Sequence, residues 1–300
     1  MYDLIIIGAG PAGITATVYA ARKKMDFLVV SGDIGGQAAW SGDIENYTGY
    51  QFITGPELAL KFEDHMRKYG VTVKEPEQVL DIRKIEDKII VKTDKGRYES
   101  RTAIIASGKR SRELSVPGEK EFKNKGLTYC ATCDGPLFAG KDVAVIGGGN
   151  SALDAVLQLI KIARRIYLVN IVSHLTGDPV MIDKVHESDI VTVMNNAKVL
   201  GITGAEMVNG IKIRYDGRER IIPVEGIFVE IGLIPNSHFA PDLDKNALGE
   251  IKVDCCNRTN IPGIFAAGDV TDLPEKQIII AAGEGSKASL SAFKYLNQHR

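Results

Sequence analysis

Short apolar runs that end in glycines occur twice along the chain, and each run is followed by a helical pattern. Residues 1–7 (MYDLIII) form the first run, and 14–22 has the helical pattern that follows it. Asp142–Ile146 forms the second run, and 151–162 is its helical partner. Apolar runs without polar alternation are typical of buried parallel strands. The pattern predicts an α/β fold.

The glycines between strand and helix form a dinucleotide-binding fingerprint in both places. In such a loop the first glycine permits a tight turn, the second lets the backbone approach a pyrophosphate, and the third lets helix and strand pack closely. Alanine replaces the third glycine in the second loop, which the fingerprint allows. We therefore predict two Rossmann-like sites; a duplicated domain whose second site has lost its function is the alternative. The predicted contacts are Gly8, Gly10, Pro11, Ala12 and Gly13 in the first loop and Gly147, Gly149, Asn150 and Ser151 in the second.

A third segment, 263–269 (GIFAAGD), ends an apolar strand in small residues and an aspartate. Small residues let a cofactor lie against the backbone, and a carboxylate can accept hydrogen bonds from the hydroxyls of a polyol. Gly268 and Asp269 are therefore candidate cofactor-binding residues.

The four cysteines form two pairs. Cys130 and Cys133 have the CxxC spacing and can close into a disulfide and reopen. Cys255 and Cys256 are adjacent in a strand-like segment, where successive side chains point to opposite faces. A structural zinc site needs four ligands, so we predict no metal. We expect one of the adjacent pair to be buried as a small apolar side chain, with a vicinal disulfide as the alternative.

Composition narrows the class of protein. A length of 300 residues indicates about two domains. The formal net charge of −1 gives no electrostatic case for nucleic acid or an acidic membrane. The first strand runs directly into its glycine loop, with no signal-peptide pattern, and no apolar run approaches membrane-spanning length. We expect a cytoplasmic protein.

Taken together, the motifs resemble the low-molecular-weight thioredoxin reductase family, and even more closely the C-terminal reductase module of the alkyl hydroperoxide reductase flavoprotein. The likeness extends over essentially the whole chain. It implies bound FAD, a redox-active disulfide, a pyridine nucleotide, a homodimer, and thioredoxin or a glutaredoxin-like protein as a separate partner. Beyond the two loops and 263–269, the motifs that carry it are 35–37 (GGQ), 44–47 (IENY), 106–108 (ASG), 130–138 (CATCDGPLF), 232–236 (GLIPN) and 276–278 (KQI).

The resemblance also implies roles for individual residues. Cys133 would be the thiolate next to the flavin, Cys130 the thiol that attacks the substrate disulfide, and Asp134 the acid/base that serves them. A helix N-cap is the alternative role of Asp134. The flavin contacts implied beyond the first loop are Gly36, Gln37, Asn46, Ala106, Gly108, Gly268, Asp269, Lys276, Gln277 and Ile278.

The position of the motifs predicts the domain organisation. Flavin motifs lie near both ends of the chain, and the second glycine loop lies between them. We therefore expect a discontinuous FAD-binding domain, 1–113 with 240–300. The pyridine-nucleotide domain, 114–239, would be inserted into it and would carry the CxxC.

The electron donor is where the sequence departs from the family pattern. NADPH-preferring members carry a basic cluster after the second domain's second strand, whereas 170–182 contains no arginine or lysine. Arg164 and Arg165 precede that strand and should lie at its opposite end. A 2′-phosphate requires cationic donors, so NADH is favoured over NADPH, with Asn170 in place of the usual ribose acid. In the first domain, no carboxylate is available for the flavin ribose before Asp33.

The predicted function is therefore electron transfer from NADH through FAD and the Cys130–Cys133 disulfide to a protein disulfide. Three alternatives share these motifs. The chain could be a thiol oxidase that uses O₂, a thioredoxin reductase with a donor other than NAD(P)H, or an FAD-binding redox sensor. A sensor would not need the complete second glycine loop.

Overall fold

The computed structural model describes residues 1–41, 43–44 and 46–299, except for the side chains of Trp40, Asp43, Thr132 and Cys133. The chain forms two compact units. Unit 1 comprises 1–110 and 234–300, and unit 2 comprises 111–233. Each is an α/β unit with a parallel sheet, as the sequence predicts.

The strands are β1 (Tyr2–Ala9), β2 (Phe27–Ile34), β3 (Asp43–Ile44), β4 (Ile53–Thr54), β5 (Val73–Lys74), β6 (Val79–Ile85), β7 (Lys88–Thr93), β8 (Arg97–Ile105), β9 (Lys109–Ser111), β10 (Leu127–Thr128), β11 (Asp142–Ile146), β12 (Arg165–Val169), β13 (Val191–Met194), β14 (Lys198–Gly204), β15 (Val208–Tyr215), β16 (Arg218–Ile222), β17 (Gly226–Val229), β18 (Leu233–Pro235) and β19 (Ile264–Ala266). The helices are α1 (Pro11–Arg22), α2 (Gly55–Arg67), α3 (Glu119–Phe122), α4 (Ala131–Asp134), α5 (Asn150–Leu159), α6 (Pro179–His186) and α7 (Ile278–Gln298). Three short 3₁₀ turns cover Gly36–Trp40, Gly135–Phe138 and Gly268–Val270.

Unit 1 is built on a seven-stranded sheet with the order β5-β2-β1-β8-β7-β6, in which β19 also pairs with β8. The strands β5, β2, β1, β8 and β19 run parallel, whereas β6, β7 and β8 form an antiparallel meander. Alternate residues of β1 enter two different cores: Leu4 and Ile6 pack with α1 and α7, and Ile5 and Ile7 pack on the opposite face. The sheet is therefore buried on both faces, as an all-apolar parallel strand requires.

Unit 2 repeats this plan on a five-stranded parallel sheet with the order β10-β17-β11-β12-β13. Val143 and Val145 of β11 pack with α5 and α6, while Ala144 and Ile146 pack against the antiparallel sheet β14-β15-β16. Strand β11 has the bounds that the sequence predicts, Asp142–Ile146. The second glycine loop therefore begins at the carboxyl end of a fully buried central strand.

The chain passes between the units at 110–111 and 233–234, whereas the sequence places the boundaries at 113–114 and 239–240. Residues 234–239 belong with unit 1 because they join its core. The Phe239 side chain is buried there, and the Phe239 carbonyl accepts a hydrogen bond from Ile82 N–H at 3.0 Å. The segment begins in β18, which ends at Pro235 and forms a two-stranded sheet with β9.

The expectation for the adjacent cysteines is wrong. Cys255 and Cys256 lie in a turn rather than a strand, because Asp254 Oδ1 accepts hydrogen bonds from the N–H groups of Cys256 and Arg258 and folds the chain back. The two Sγ atoms therefore lie 4.0 Å apart instead of on opposite faces. Cys255 is exposed and Cys256 is half-buried, and both thiols are free.

Within the described residues, no helix is both long and apolar enough to cross a membrane. The same residues contain no cluster of three or more His, Cys, Asp or Glu side chains that could hold a metal ion.

Candidate functional site

The first glycine loop closes tightly on the strand before it. A Cβ on Gly13 would lie 1.8 Å from the carbonyl oxygen of Gly8, so a residue with a side chain cannot occupy that position without moving the loop. Thr17 Oγ1 donates to the Gly13 carbonyl at 2.8 Å, and Ala9 N–H donates to Ser31 Oγ at 3.0 Å. The Thr17 bond lies within α1. The close approach of Gly13 to Gly8 sets α1 against β1, and the Ala9 bond ties the end of β1 to β2, as the fingerprint predicts.

The start of α1 offers backbone to a ligand. Gly10 is the N-cap of α1, and no side chain caps it. A Cβ on Gly10 would point into open space, with Gly36 Cα as its nearest neighbour at 3.9 Å. A Cβ on Gly36 would point back at Gly10 Cα, 3.2 Å away. Two glycines thus face each other across a gap beside a helix N-terminus, which fits the pyrophosphate of a dinucleotide such as FAD.

The other predicted flavin contacts also lie in unit 1. Asn46 Nδ2 donates to Gln277 Oε1 at 3.1 Å, which joins residues 231 positions apart in sequence. Gln37 Nε2 donates to the Lys109 carbonyl at 2.6 Å. Ala106 N–H donates to the Ile7 carbonyl, and a Cβ on Gly108 would point into open space. Gly268 packs on Ala12, and Ile278 is the first residue of α7.

Asp269 lies at the carboxyl end of β19 beside a buried ion cluster that the sequence analysis missed. Glu250 accepts from Lys109 Nζ at 2.7 Å and lies 3.3 Å from Lys276 Nζ. Within the described part of the chain, the Asp269 carboxylate is acted on by burial and by the charges of Lys276, Lys109 and Glu250, with no hydrogen bond to it. Burial raises the pKa of Asp269, while Lys276 and Lys109 oppose that rise. A partly buried, unbonded carboxylate beside two cations is suited to accept hydroxyl donors from a polyol.

The second glycine loop is braced by the protein itself. A Cβ on Gly148 would lie 2.5 Å from Asn170 Oδ1, so the Asn170 side chain packs directly on the loop backbone. Thr176 N–H donates to the Gly148 carbonyl at 2.7 Å, and Asp178 N–H donates to Asn150 Oδ1 at 2.7 Å. Gly149 caps α5 with no side-chain partner, and Ser151 is exposed in the first turn. The loop and the Asn150 side chain are therefore engaged, whereas no side chain caps the N-terminus of α5.

Asn170 is buried, at 2 % exposure, and its amide nitrogen already has protein partners. Asn170 Nδ2 lies within hydrogen-bond distance of the Val172 and His174 carbonyls and of Asn195 Oδ1. These bonds shape the loop after β12. A contact between Asn170 and a ribose stays a prediction.

The position expected for the arginines is confirmed. Arg165 is the first residue of β12, in register with Asp142 at the start of β11, and Arg164 Nε pairs with Asp142 at 2.8 Å. Both guanidinium groups therefore belong to the amino end of the sheet, whereas the glycine loop and Asn170 follow its carboxyl end.

The CxxC segment lies on α4, in the same unit as the second glycine loop. Cys130 is disulfide-bonded. The Cys133 side chain lies outside the described residues. Thr128 Oγ1 donates to Asp134 Oδ2, and the same hydroxyl oxygen accepts Cys130 N–H at 3.2 Å. One threonine thus connects the predicted acid/base to the backbone of a redox cysteine.

The N-cap alternative for Asp134 is met in position only. Asp134 ends α4 and is the N-cap residue of the 3₁₀ turn Gly135–Phe138, but its side chain makes no capping hydrogen bond to that turn. Its carboxylate is held by Thr128 instead. Glu230, a half-buried residue that no sequence motif marks, accepts a hydrogen bond through its carboxylate from Ala131 N–H inside the CxxC segment.

Comparisons with known proteins agree with this geometry. The model of the family "Pyridine nucleotide-disulphide oxidoreductase" matches residues 2–285. A thioredoxin reductase from Lactococcus lactis superposes with a TM-score of 0.87 at 33% identity, covering 99% of this chain and 100% of that one. A Staphylococcus aureus protein named as a component of alkyl hydroperoxide reductase is 42% identical over 98% of this chain and 59% of its own length. A protein named NADH dehydrogenase from Ferdinandcohnia aciditolerans is 41% identical over 98% of this chain and 57% of its own. The chain thus spans less than two thirds of these two curated relatives.

Proposed function

The chain belongs to the pyridine nucleotide-disulphide oxidoreductase family, and from that premise we propose that it passes electrons from NADH, through FAD and the disulfide of Cys130, to a protein disulfide. One observation carries the proposal. Two strand–glycine loop–helix sites occur in one chain, and a disulfide-bonded cysteine lies in the unit of the second loop.

We assign FAD to unit 1 and the pyridine nucleotide to unit 2. The backbone at Gly10 and Gly36 would receive the FAD pyrophosphate, and Asp269 would accept hydroxyl donors from the polyol part of the cofactor. FAD supplies a two-electron relay between a nicotinamide and a disulfide. In unit 2, the free N-terminus of α5 at Gly149 and Ser151 would receive the second pyrophosphate.

NADH is the proposed donor because residues 170–182, the segment that directly follows β12, contain no arginine or lysine. They comprise the loop 170–178 and α6 to residue 182, and Arg164 and Arg165 belong to the other end of the strand. A 2′-phosphate bound there would lose its hydration without gaining charge-assisted hydrogen bonds.

Each residue at the disulfide has a separate proposed role in thiol–disulfide exchange. Exchange needs a thiolate as attacking group and a proton for the leaving sulfur. We assign the attack on the partner to Cys130, the flavin-proximal position to Cys133, and the proton to Asp134, which Thr128 orients toward the Cys130 backbone. The proposed partner is thioredoxin or a glutaredoxin-like protein, and the proposed assembly is a homodimer.

Replacing Cys130 by serine tests the proposal. NADH-dependent reduction of a thioredoxin-type disulfide should fall to background, while the flavin should still be reduced by NADH. The exposed thiol Cys255, replaced by serine, is the matched control and should leave reduction unchanged. Oxygen consumption with a dithiol, measured on the same proteins, distinguishes a thiol oxidase. Full disulfide reduction by the Cys130→Ser protein would contradict the proposal.

A further inference from the structure

Glu230 lies where the redox segment and the second glycine loop meet. It directly follows β17, the strand between β10, which leads to the cysteines, and β11, which leads to the loop. Glu230 N–H donates to the Ile146 carbonyl at 2.8 Å. The Glu230 carbonyl lies 2.2 Å from where a Cβ on Gly147 would be. The backbone of Glu230 is therefore fixed against the first glycine of the loop.

The Glu230 side chain turns toward the CxxC segment. Its carboxylate accepts a hydrogen bond from the N–H of Ala131, the residue after Cys130. Among the described residues, the charged side chain that affects the Glu230 carboxylate is Asp154 of α5, which is also negative. Strand β11 contacts Glu230 through the backbone carbonyl of Ile146. Burial raises the pKa of Glu230 to about 7, the Ala131 N–H opposes the rise, and Asp154 adds to it. This carboxylate is therefore near the midpoint of its titration at neutral pH.

The other carboxylate near the disulfide has a different environment. Asp134 accepts a hydrogen bond from the Thr128 hydroxyl, a side-chain donor. Glu230 has one backbone donor, Ala131 N–H, and an acidic neighbour, Asp154. A further negative charge placed near Glu230 would therefore favour protonation of its carboxylate.

We propose that Glu230 is a positioning residue that takes up a proton when the disulfide of Cys130 is reduced. The inference rests on the proposed function, in which that disulfide is cycled. Reduction by a dithiol or by the reduced cofactor delivers two electrons and breaks the S–S bond. One sulfur takes a proton and the other is left as a thiolate. The thiolate's negative charge raises the proton affinity of Glu230, which takes a second proton from solvent, so that the segment gains two electrons and two protons.

Proton uptake by Glu230 is tested by measuring the equilibrium between the disulfide and dithiothreitol from about pH 6 to about pH 9, a range that includes the Glu230 pKa of about 7. The thiol state is read by alkylation and mass measurement of the Cys130 peptide. Above about pH 7, the oxidised wild-type protein has lost the Glu230 proton that the reduced protein keeps. Its equilibrium constant for reduction should therefore fall an extra tenfold or so per pH unit, about 30 mV, relative to Glu230→Gln.

Two further variants separate proton uptake from a structural role. Glu230→Asp keeps a titrating carboxylate and should restore the extra pH dependence. Asp154→Asn removes the negative neighbour of Glu230. The extra pH dependence should then begin at lower pH and should not disappear. A purely structural Glu230 would shift the equilibrium by the same factor at every pH. Equal pH slopes in wild type and Glu230→Gln, with a reducible disulfide, overturn this inference alone. A disulfide that no dithiol reduces at any pH overturns the proposed function and the inference together.

Discussion

The two glycine loops share a fingerprint and differ in what surrounds it. Gly10 and Gly149 are each the second glycine and the N-cap of the following helix, with φ and ψ of −79° and −172° in one and −95° and −173° in the other. In unit 1 the loop faces the backbone of Gly36, with the unbonded carboxylate of Asp269 in the same unit. In unit 2 the neighbouring loop is tied down by Asn170, whose amide nitrogen is occupied.

The fingerprint therefore fixes where a pyrophosphate can bind, whereas the surrounding side chains decide which dinucleotide binds and how firmly. Unit 1 has contacts from several distant parts of the chain and suits a resident cofactor. Unit 2 has a free helix start and a loop without cations, which suits an exchangeable and less charged one.

The largest expected effect comes from Gly10→Ala. Both φ and ψ of Gly10 are accessible to alanine, and the new Cβ would meet no protein atom closer than 3.9 Å. The methyl group would therefore intrude on the pyrophosphate alone. We expect at least about tenfold weaker FAD binding, about 1.4 kcal/mol, with the fold retained. FAD titration of the apoprotein measures this, with far-UV circular dichroism as the check on folding. Undiminished FAD affinity would show that this gap does not hold the cofactor.

Gly149→Ala is the matched change in unit 2. Its Cβ would have Thr176 Oγ1 as nearest neighbour, at 3.8 Å, so the fold should again tolerate it. FAD content should stay at the wild-type level, while flavin reduction should require about tenfold more NADH. Rapid-mixing measurements at several NADH concentrations give this value. If Gly149→Ala lost FAD instead, the assignment of the two units would be reversed.

Donor choice gives the next effect. Ile171 and Val172 are 67 % and 44 % exposed after β12, so arginines can replace them without emptying the core. One charge-assisted hydrogen bond contributes about 1.5–3 kcal/mol, so Ile171→Arg with Val172→Arg should shift the NADPH-to-NADH ratio of kcat/KM at least about tenfold toward NADPH. Met207→Arg with Ile221→Arg adds the same charge to the antiparallel sheet and should leave the ratio unchanged. An unchanged ratio in both proteins would contradict the electrostatic account.

The smallest effect concerns Asn170→Asp, which supplies the acid that NAD-binding Rossmann folds generally place near the ribose. Here the buried amide nitrogen donates part-buried hydrogen bonds to acceptors on Val172, His174 and Asn195, and a carboxylate cannot donate to them. We expect a loss of about 1–3 kcal/mol in the free energy of unfolding, measured by denaturant titration. Asn209→Asp keeps the oxygen that Thr203 Oγ1 donates to and should cost little. Equal stabilities would mean that the Asn170 amide does not hold its loop.

Local sequence patterns predicted the two parallel sheets and their loops, because buried strands and glycine turns depend on nearest neighbours along the chain. The bounds of β11 and the end of the sheet at which Arg165 lies followed in this way. The ion pair between Lys109 and Glu250 could not be predicted, because 141 residues separate its partners. Glu230 carries no motif, and its pKa depends on packing that no local pattern encodes. The cysteine turn was missed because a single Asp254 side chain overrides a strand-like apolar pattern.

The most direct test of the whole account is anaerobic mixing of the wild-type holoprotein with NADH and with NADPH in parallel, followed by flavin absorbance. We predict that NADH bleaches the flavin at a KM or apparent Kd at least about tenfold below that for NADPH, since a 2′-phosphate gains no cationic partner after β12. Equal efficiency would mean that a cation from elsewhere in the chain reaches the phosphate. Flavin that neither nucleotide bleaches would contradict the central claim that the second glycine loop delivers the electrons.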